Sequence, residues 1–396
     1  MDGMTTIEGE VAAGFGAVRE AFAENFSNLG DLGAAACVYQ DGRPVVDLWG
    51  GVADEDTGRP WTRDTLQLVY SATKGATATA AHLLAQRGEL DLDAPVTDYW
   101  PEFAAHGKAE IPVRWLLSHR AGLVALDQPV PLEQALAWHP MVAALAAQRP
   151  AWTPGTAFGY HGRTWGWLVG EVIRRVSGRT PGRFFADEIA APLGLDFFIG
   201  LPEQERARVS RMRDQQPTVD HSDVPLESIP EEFRAAAAAW SDPNSLSNRA
   251  FAVTDPAGID FDAPEVQAAE LPASNGIGTA RALARMYAAL IGEVDGVRLL
   301  TPQSLASATA EQSSGLDLVM MTPSRFASGY MLPTDATPMT GPASFGHPGR
   351  GGSLAFADPE RGIAFAYVMN TIAGGPGDNR AAALVRAVSQ AFSSAN

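Results

Sequence analysis

The apolar positions change period several times along the chain, and the changes outline its elements. Val11, Phe15, Val18, Phe22 and Phe26 recur at near-helical spacing and predict an amphipathic helix over residues 7 to 27. The stretch "GAAACVYQDGRPVVDLWGGVAD" then holds two β-rich runs on either side of Asp41-Gly42. Such a pair tolerates positive φ, so these residues predict a hairpin with a tight turn. From about 76 to 200 helical patterns dominate, broken by proline and glycine. The run after Lys74 places Ala78, His82 and Leu83 at helical spacing, and Gly88 supplies its stop. From about 200 to 275 the pattern is irregular, with scattered prolines, as in long loops over a cleft. "TARALARMYAALIG" restores a helix, with Thr279 as its N-cap and Leu283, Met286 and Leu290 on one face.

The C-terminal part returns to strands. "SRFASGYML", "ASFGHPG", "GSLAFADPE" and "GIAFAYVMN" alternate with turns, and a last helix begins near Asp378. Strands at both ends and helices between them predict an α/β fold in which one antiparallel sheet is built from the two termini. On this reading residues 1–75 and 316–396 form a discontinuous α/β domain. Residues 76–315 form a mainly helical domain inserted into it, with loops at about 200–275 lining the cleft.

Composition narrows the class. With 396 residues and 46% hydrophobic content the chain can bury a large core. No apolar run approaches the roughly 20 residues that cross a bilayer, and the opening "MDGMTTIEGEVAAGF" is acidic where a secretory leader is basic and then apolar. The expectation is a soluble, cytoplasmic protein. The lone Cys37 agrees with a reducing compartment, and its apolar neighbours predict a buried strand residue rather than a nucleophile. A net charge of −17 repels phosphate backbones and anionic membranes, which excludes nucleic-acid and membrane-surface partners.

Lysine usage is the sharpest signal. Lys74 and Lys108 are lysines and every other Lys or Arg position is arginine. Guanidinium stays charged at any ordinary pH, whereas a desolvated ε-amine, or one beside another cation, can lose its proton and act as a base. Ser71 and Lys74, in "SATK", stand three residues apart, the spacing that puts a hydroxyl and an amine on one face of a helical turn. That is a nucleophile beside its base. The backbone amides and positive dipole end of the same first turn are suited to an oxyanion.

Taken together, "SATK" after a β-hairpin, "LLSHRAGL" at 116–123, "PGTAFGYHGRTWGWLVGEVIRRVSG" from 154, "NGIGTARALARMYAAL" from 275 and "FGHPGRGGSLAFADPERGIAFAYVMN" from 345 resemble the serine hydrolases related to class C β-lactamases and penicillin-binding proteins. Within these they are most similar to the family VIII carboxylesterases. The resemblance weakens across roughly 200 to 270. It implies the β-lactamase/D,D-peptidase-like fold, with Ser71 as the acylated nucleophile and Lys74 as its base. It makes Tyr160, at the head of "YHG", the proton shuttle, a phenol whose pKa the neighbouring Lys74 ammonium would lower. Gly162 stands where the family usually has asparagine, and His347, Pro348 and Gly349 stand where the lactamases have Lys-Thr-Gly.

A histidine at 347 can donate a hydrogen bond or carry a proton near neutral pH but is no permanent cation. Both departures favour neutral esters over penicillins. The same correspondence gives the backbone amides of Ser71 and Arg350 to an oxyanion hole, and Gly349 would let substrate lie close to its strand. Trp240, in the variable stretch, is the tryptophan expected in an acyl pocket, and His119 is expected to be structural. The chain has no Gly-x-Ser-x-Gly elbow, no His-Glu-x-x-His and no Cys-x-x-Cys, and neither a metal nor an organic cofactor is expected.

The function so implied is hydrolysis of small-molecule, short-chain acyl esters through a Ser71 acyl-enzyme. Acyl transfer to an alcohol or amine, and amide or β-lactam opening, use the same chemistry and stay open. A non-catalytic binding protein on the same scaffold is the alternative of another class.

Overall fold

The hairpin forms where Asp41-Gly42 places it. Both residues have positive φ, 48° and 76°, and join strands Gly33–Gln40 and Arg43–Asp54. These two strands open an antiparallel sheet whose order is 7–11, 43–54, 33–40, 363–369, 354–358 and 345–348, so both ends of the chain build it. The computed structural model describes residues 5–214, 231–373 and 378–393.

Side-chain alternation, the period of two intrinsic to a strand, sorts the sheet into two buried faces. Ala36, Val38, Phe356, Phe365 and Tyr367 point to one face, where Val18 and Phe22 of helix Gly16–Asn28 and Leu384 and Val388 of helix Arg380–Ser393 cover them. Cys37, Tyr39, Ala355, Ala364 and Ala366 point to the other, which packs on helix Ala280–Ile291. With helices on both faces, strand Ile363–Met369 is buried along its whole length. Thr279 caps helix Ala280–Ile291 as expected, its Oγ1 accepting from the Ala282 N–H at 3.0 Å.

Two expectations need correction. The helix predicted from residue 7 begins only at Gly16, because Ile7–Val11 is an edge strand paired with residues 46–50. Its half-buried apolar residues alternate with exposed Glu8 and Glu10, a period of two that Val11 had masked by falling in step with Phe15. The single strand expected across "SRFASGYML" is only Pro323–Phe326, paired with Ser313–Leu316. A turn with Gly329 at φ 89° breaks it, and Met331 goes on to bridge Gly346.

Between 201 and 275 the described residues hold short helices, among them Glu231–Ser241, Leu246–Arg249 and Pro264–Ala268. Residues 215–230 of the expected cleft loops lie outside the described residues. Among the described residues no helix is long and apolar enough to cross a membrane.

A buried ionic knot ties the two termini together behind the sheet. Arg380, 1% exposed, donates to Asp31 Oδ1 at 2.7 Å, to both carboxylate oxygens of Asp378 and to the carbonyls of Thr371 and Gly351. Tyr367 donates its hydroxyl proton to the second oxygen of Asp31 at 2.6 Å. Every strong donor of the guanidinium therefore has an acceptor, the condition under which a buried charge is tolerated.

Candidate active site

Ser71 sits in a 3₁₀ turn, Tyr70–Ala72, that runs directly into helix Thr73–Gln86. The preceding Tyr70 holds φ at 47°, left-handed and unfavourable for a bulky residue, so the turn has to be over-determined by its surroundings. It is. Val69 N–H donates to the Gly276 carbonyl at 2.9 Å, Gly276 N–H donates to Thr73 Oγ1 at 2.8 Å, and Ser353 Oγ donates to the Val69 carbonyl at 3.1 Å. The helix that follows is rich in alanine and threonine and is buried on every side from Thr73 to Leu84, packing against helix Thr164–Ser177.

Lys74 is fully buried in the first turn of that helix. Its Nζ lies 3.2 Å from Ser71 Oγ, 2.8 Å from the Gly162 carbonyl and 3.1 Å from the Ala273 carbonyl. The face of the Tyr160 ring is 4.8 Å away and that of Trp165 5.9 Å. No carboxylate among the described residues pairs with this amine. Burial, and secondarily the charge of Arg163, push its pKa far below that of a free lysine. Lys108, the other lysine, is also buried, with its amine donating to the Gln148 carbonyl at 2.7 Å. Burial and the charge of Arg149 lower it to about 8.

Tyr160 stands on the other side of Ser71, buried between His119 at 5.1 Å and His347 at 5.9 Å and stacked on Phe326 at 6.1 Å. Its phenol corrects the expectation of a lowered pKa. Burial pushes it well above 10, a hydrogen bond with Ser71 pulls it back only in part, and the Asp317 carboxylate raises it again. The neighbouring Lys74, its own pKa pushed down by burial, does not offset this.

His347 also differs from expectation. Burial, reinforced by Lys74, lowers it to about 3, so the ring is uncharged near neutral pH. Its Nδ1 lies 2.6 Å from the Pro348 carbonyl, which can only accept; the proton therefore resides on Nδ1 and Nε2 is left as a buried lone pair without a partner. His119 is buried beside Tyr160, its Nδ1 accepting the His161 N–H at 3.1 Å.

Glycine at 349, which lines the cavity, also serves packing. A Cβ there would come within 2.1 Å of the Val69 carbonyl and 2.2 Å of Ser353 Oγ, so the missing side chain lets strand Phe345–Pro348 close against the serine turn. Gly162 likewise faces a neighbour, since its Cβ would meet the Phe251 ring at 2.6 Å.

These residues surround a cavity of about 490 Å³. Ser71, Tyr160, His347, Gly349 and Arg350 line one end, and Phe251, Met320, Phe326 and Met331 give it an apolar wall. Arg350 extends from the cavity edge, 3.8 Å from Asp214, with its guanidinium 5.8 Å from the Tyr70 ring centroid. Trp240 does not line the cavity. It lies 40% exposed on the outer side of Phe251, ring to ring at 5.8 Å, and Phe251 takes the place expected for it. Phe251 and Met320 went unnoticed in the sequence because one apolar residue in irregular chain carries no periodic signal. Asp317, an acid amid the apolar residues of "GLDLVMM", did carry one. Among the described residues no cluster of histidine, cysteine and carboxylate side chains could hold a metal ion.

The beta-lactamase family model matches the chain over residues 22–390. The chain belongs to the beta-lactamase family. It is 37% identical over 368 residues to the esterase/beta-lactamase LipL of Mycobacterium tuberculosis, covering 90% of this chain and 81% of that protein. Among solved structures it is similar to a family VIII carboxylesterase (36% identity, TM-score 0.83, 98% of this chain and 100% of that one). It is equally similar to EstA from Arthrobacter nitroguajacolicus Rue61a (34% identity, TM-score 0.84, 97% and 98%). The antiparallel sheet flanked by helices is the fold of this family.

Proposed function

We propose that the protein is a serine carboxylesterase that hydrolyses small, neutral, short-chain acyl esters through an acyl-enzyme on Ser71. The observation that carries the reading is the hydrogen-bond arithmetic at Lys74. A neutral amine has two N–H bonds and one lone pair. With the Gly162 and Ala273 carbonyls accepting the two N–H bonds, the lone pair is left for the Ser71 hydroxyl at 3.2 Å. That is the pose of a general base, and burial supplies the protonation state it needs.

In this mechanism the Ser71 proton passes to Lys74 Nζ as Oγ bonds to the ester carbonyl carbon. The backbone N–H groups of Ser71 and Arg350 receive the oxyanion. The tetrahedral intermediate then breaks its bond to the alcohol oxygen, which takes the phenol proton of Tyr160, and Tyr160 recovers a proton from the Lys74 ammonium. Water attacks the acyl-enzyme by the same route in reverse, releasing the acid and restoring neutral Lys74 and protonated Ser71. A phenol with a raised pKa suits the acid step, because it stays protonated until an alkoxide forms beside it.

The substrate preference follows from the walls. Phe251, Met320, Phe326 and Met331 favour apolar acyl or alcohol groups, and His347 offers a neutral acceptor where a carboxylate would need a cation. The solved structures of a family VIII carboxylesterase and of EstA, to which the chain is similar, support ester hydrolysis. Initial rates on p-nitrophenyl acetate and butyrate against nitrocefin test it: turnover of the esters with little or none of the lactam is expected, and the reverse order refutes the preference. A small-molecule ester is the partner this reading requires.

A further inference from the structure

We propose that Asp317 is a positioning residue of this site, clamping the backbone at Tyr160 to the turn that forms the Met320 wall of the substrate cavity. The proposal rests on the esterase reading above.

Asp317 is fully buried, although an isolated carboxylate in an apolar interior is strongly disfavoured. One of its oxygens, Oδ1, accepts three backbone N–H groups: Tyr160 at 3.0 Å, Val319 at 2.8 Å and Met320 at 2.9 Å. The last two close a tight turn over residues 317–322, completed by the Asp317 N–H to the Thr322 carbonyl at 3.1 Å. The first reaches across 157 residues of sequence to the tyrosine. Leu318 N–H adds a second tie by donating to the Phe158 carbonyl at 3.2 Å. Met320 and Thr322 of that turn line the cavity, as does Tyr160, so a single carboxylate oxygen fixes both the acid and part of the pocket wall.

The second oxygen, Oδ2, is buried without any partner. A residue kept only to satisfy amides would do as well with asparagine, whose carbonyl accepts the same bonds. The observed economy, with three donors on one atom and none on the other, makes the acceptor at Oδ1 the working part. It also defines the variants. Asp317→Asn keeps that acceptor, Asp317→Ala removes it, and Asp317→Ser, whose hydroxyl cannot reach all three amides, stands in if the alanine variant does not fold.

The readout is leaving-group dependence. An alkyl ester needs protonation of its departing alkoxide, whereas p-nitrophenolate leaves without it. A displaced Tyr160 therefore penalises ethyl butyrate far more than p-nitrophenyl butyrate. We expect Asp317→Ala, or Asp317→Ser in its place, to lose on the order of 10²-fold in kcat/KM, which reports acylation alone, on the alkyl ester and much less on the nitrophenyl ester, as misplacement of a catalytic group by about 1 Å can do. Asp317→Asn should stay within a few-fold of wild type on both. Rates are normalised to sites labelled by a fluorophosphonate, so loss of folded protein cannot imitate the effect. An alanine variant that loses the two activities equally, or only melts lower, overturns the proposal and leaves Asp317 structural. An asparagine variant as impaired as alanine overturns it as well. Tyr160→Phe, run in parallel, separates the layers: if it shows no leaving-group dependence, the acid role of Tyr160 fails first and the positioning role falls with it.

Discussion

The ring of Phe251 occupies the volume that a side chain at Gly162 would need. A Cβ built on Gly162 comes within 2.6 Å of the ring. The family's usual asparagine at this position is therefore excluded by a specific neighbour. Gly162→Asn should destabilise the protein by about 1–3 kcal/mol through overpacking and lower ester turnover. Adding Phe251→Ala should recover much of the stability. Urea denaturation of the single and double variants checks the coupling.

Tyr160→Phe removes a hydroxyl while leaving the ring packed on Phe326. The variant should fold as wild type and lose roughly 10²–10⁴-fold in kcat/KM on alkyl esters, the range for removing a general acid. Its penalty on p-nitrophenyl esters should be markedly smaller. Equal loss on both would assign Tyr160 to the acylation base instead.

The pH dependence follows from Lys74. Its pKa is lowered, first by burial and then by Arg163, and the base works only when unprotonated. Activity should therefore persist at neutral pH and fall as the pH drops through that lowered value. Arg163→Gln removes the cation that helps keep Lys74 neutral, so the acid limb of kcat/KM should move to higher pH. A limb that stays or moves lower contradicts the role of Arg163. Lys74→Arg, which cannot deprotonate, should lose at least about 10²-fold at every pH.

Arg380→Met would leave Asp31 and Asp378 buried or half-buried without their cation. Breaking a buried pair on one side typically costs about 3–5 kcal/mol, and calorimetry should show a large fall in Tm. The Gly351 carbonyl, next to Arg350, loses its donor at the same time. Residual folded enzyme should therefore be slower as well as less stable.

How much of this could be read from the sequence depended on how local the signal was. The Asp41-Gly42 hairpin, the capped helix after Thr279 and the Ser71–Lys74 spacing are written in a few adjacent residues, and the structure has each of them. The strand at Ile7–Val11 was read as helix because its period overlapped the next element's, and only its partner strand distinguishes the two. Protonation states were legible only for Lys74, where scarcity pointed to a role that arginine cannot fill. Those of Tyr160 and His347 depend on burial by chain hundreds of residues away, and the sequence reading had the shift of Tyr160 in the wrong direction. The roles of Gly349 and Phe251 are contacts between distant segments and leave no local trace. Asp317 was passed over, although a lone acid in an apolar run is a reason to ask what such a residue holds.

The central claim is that Ser71 carries the acyl group. Incubation with a p-nitrophenyl phosphonate, followed by intact-mass and peptide-mass analysis, tests it most directly. The account predicts one adduct per chain, on the peptide containing Ser71, with release of p-nitrophenol and loss of esterase activity in proportion, and no adduct on Ser71→Ala. An adduct on another residue, or Ser71→Ala that still turns over esters at the wild-type rate, would contradict it.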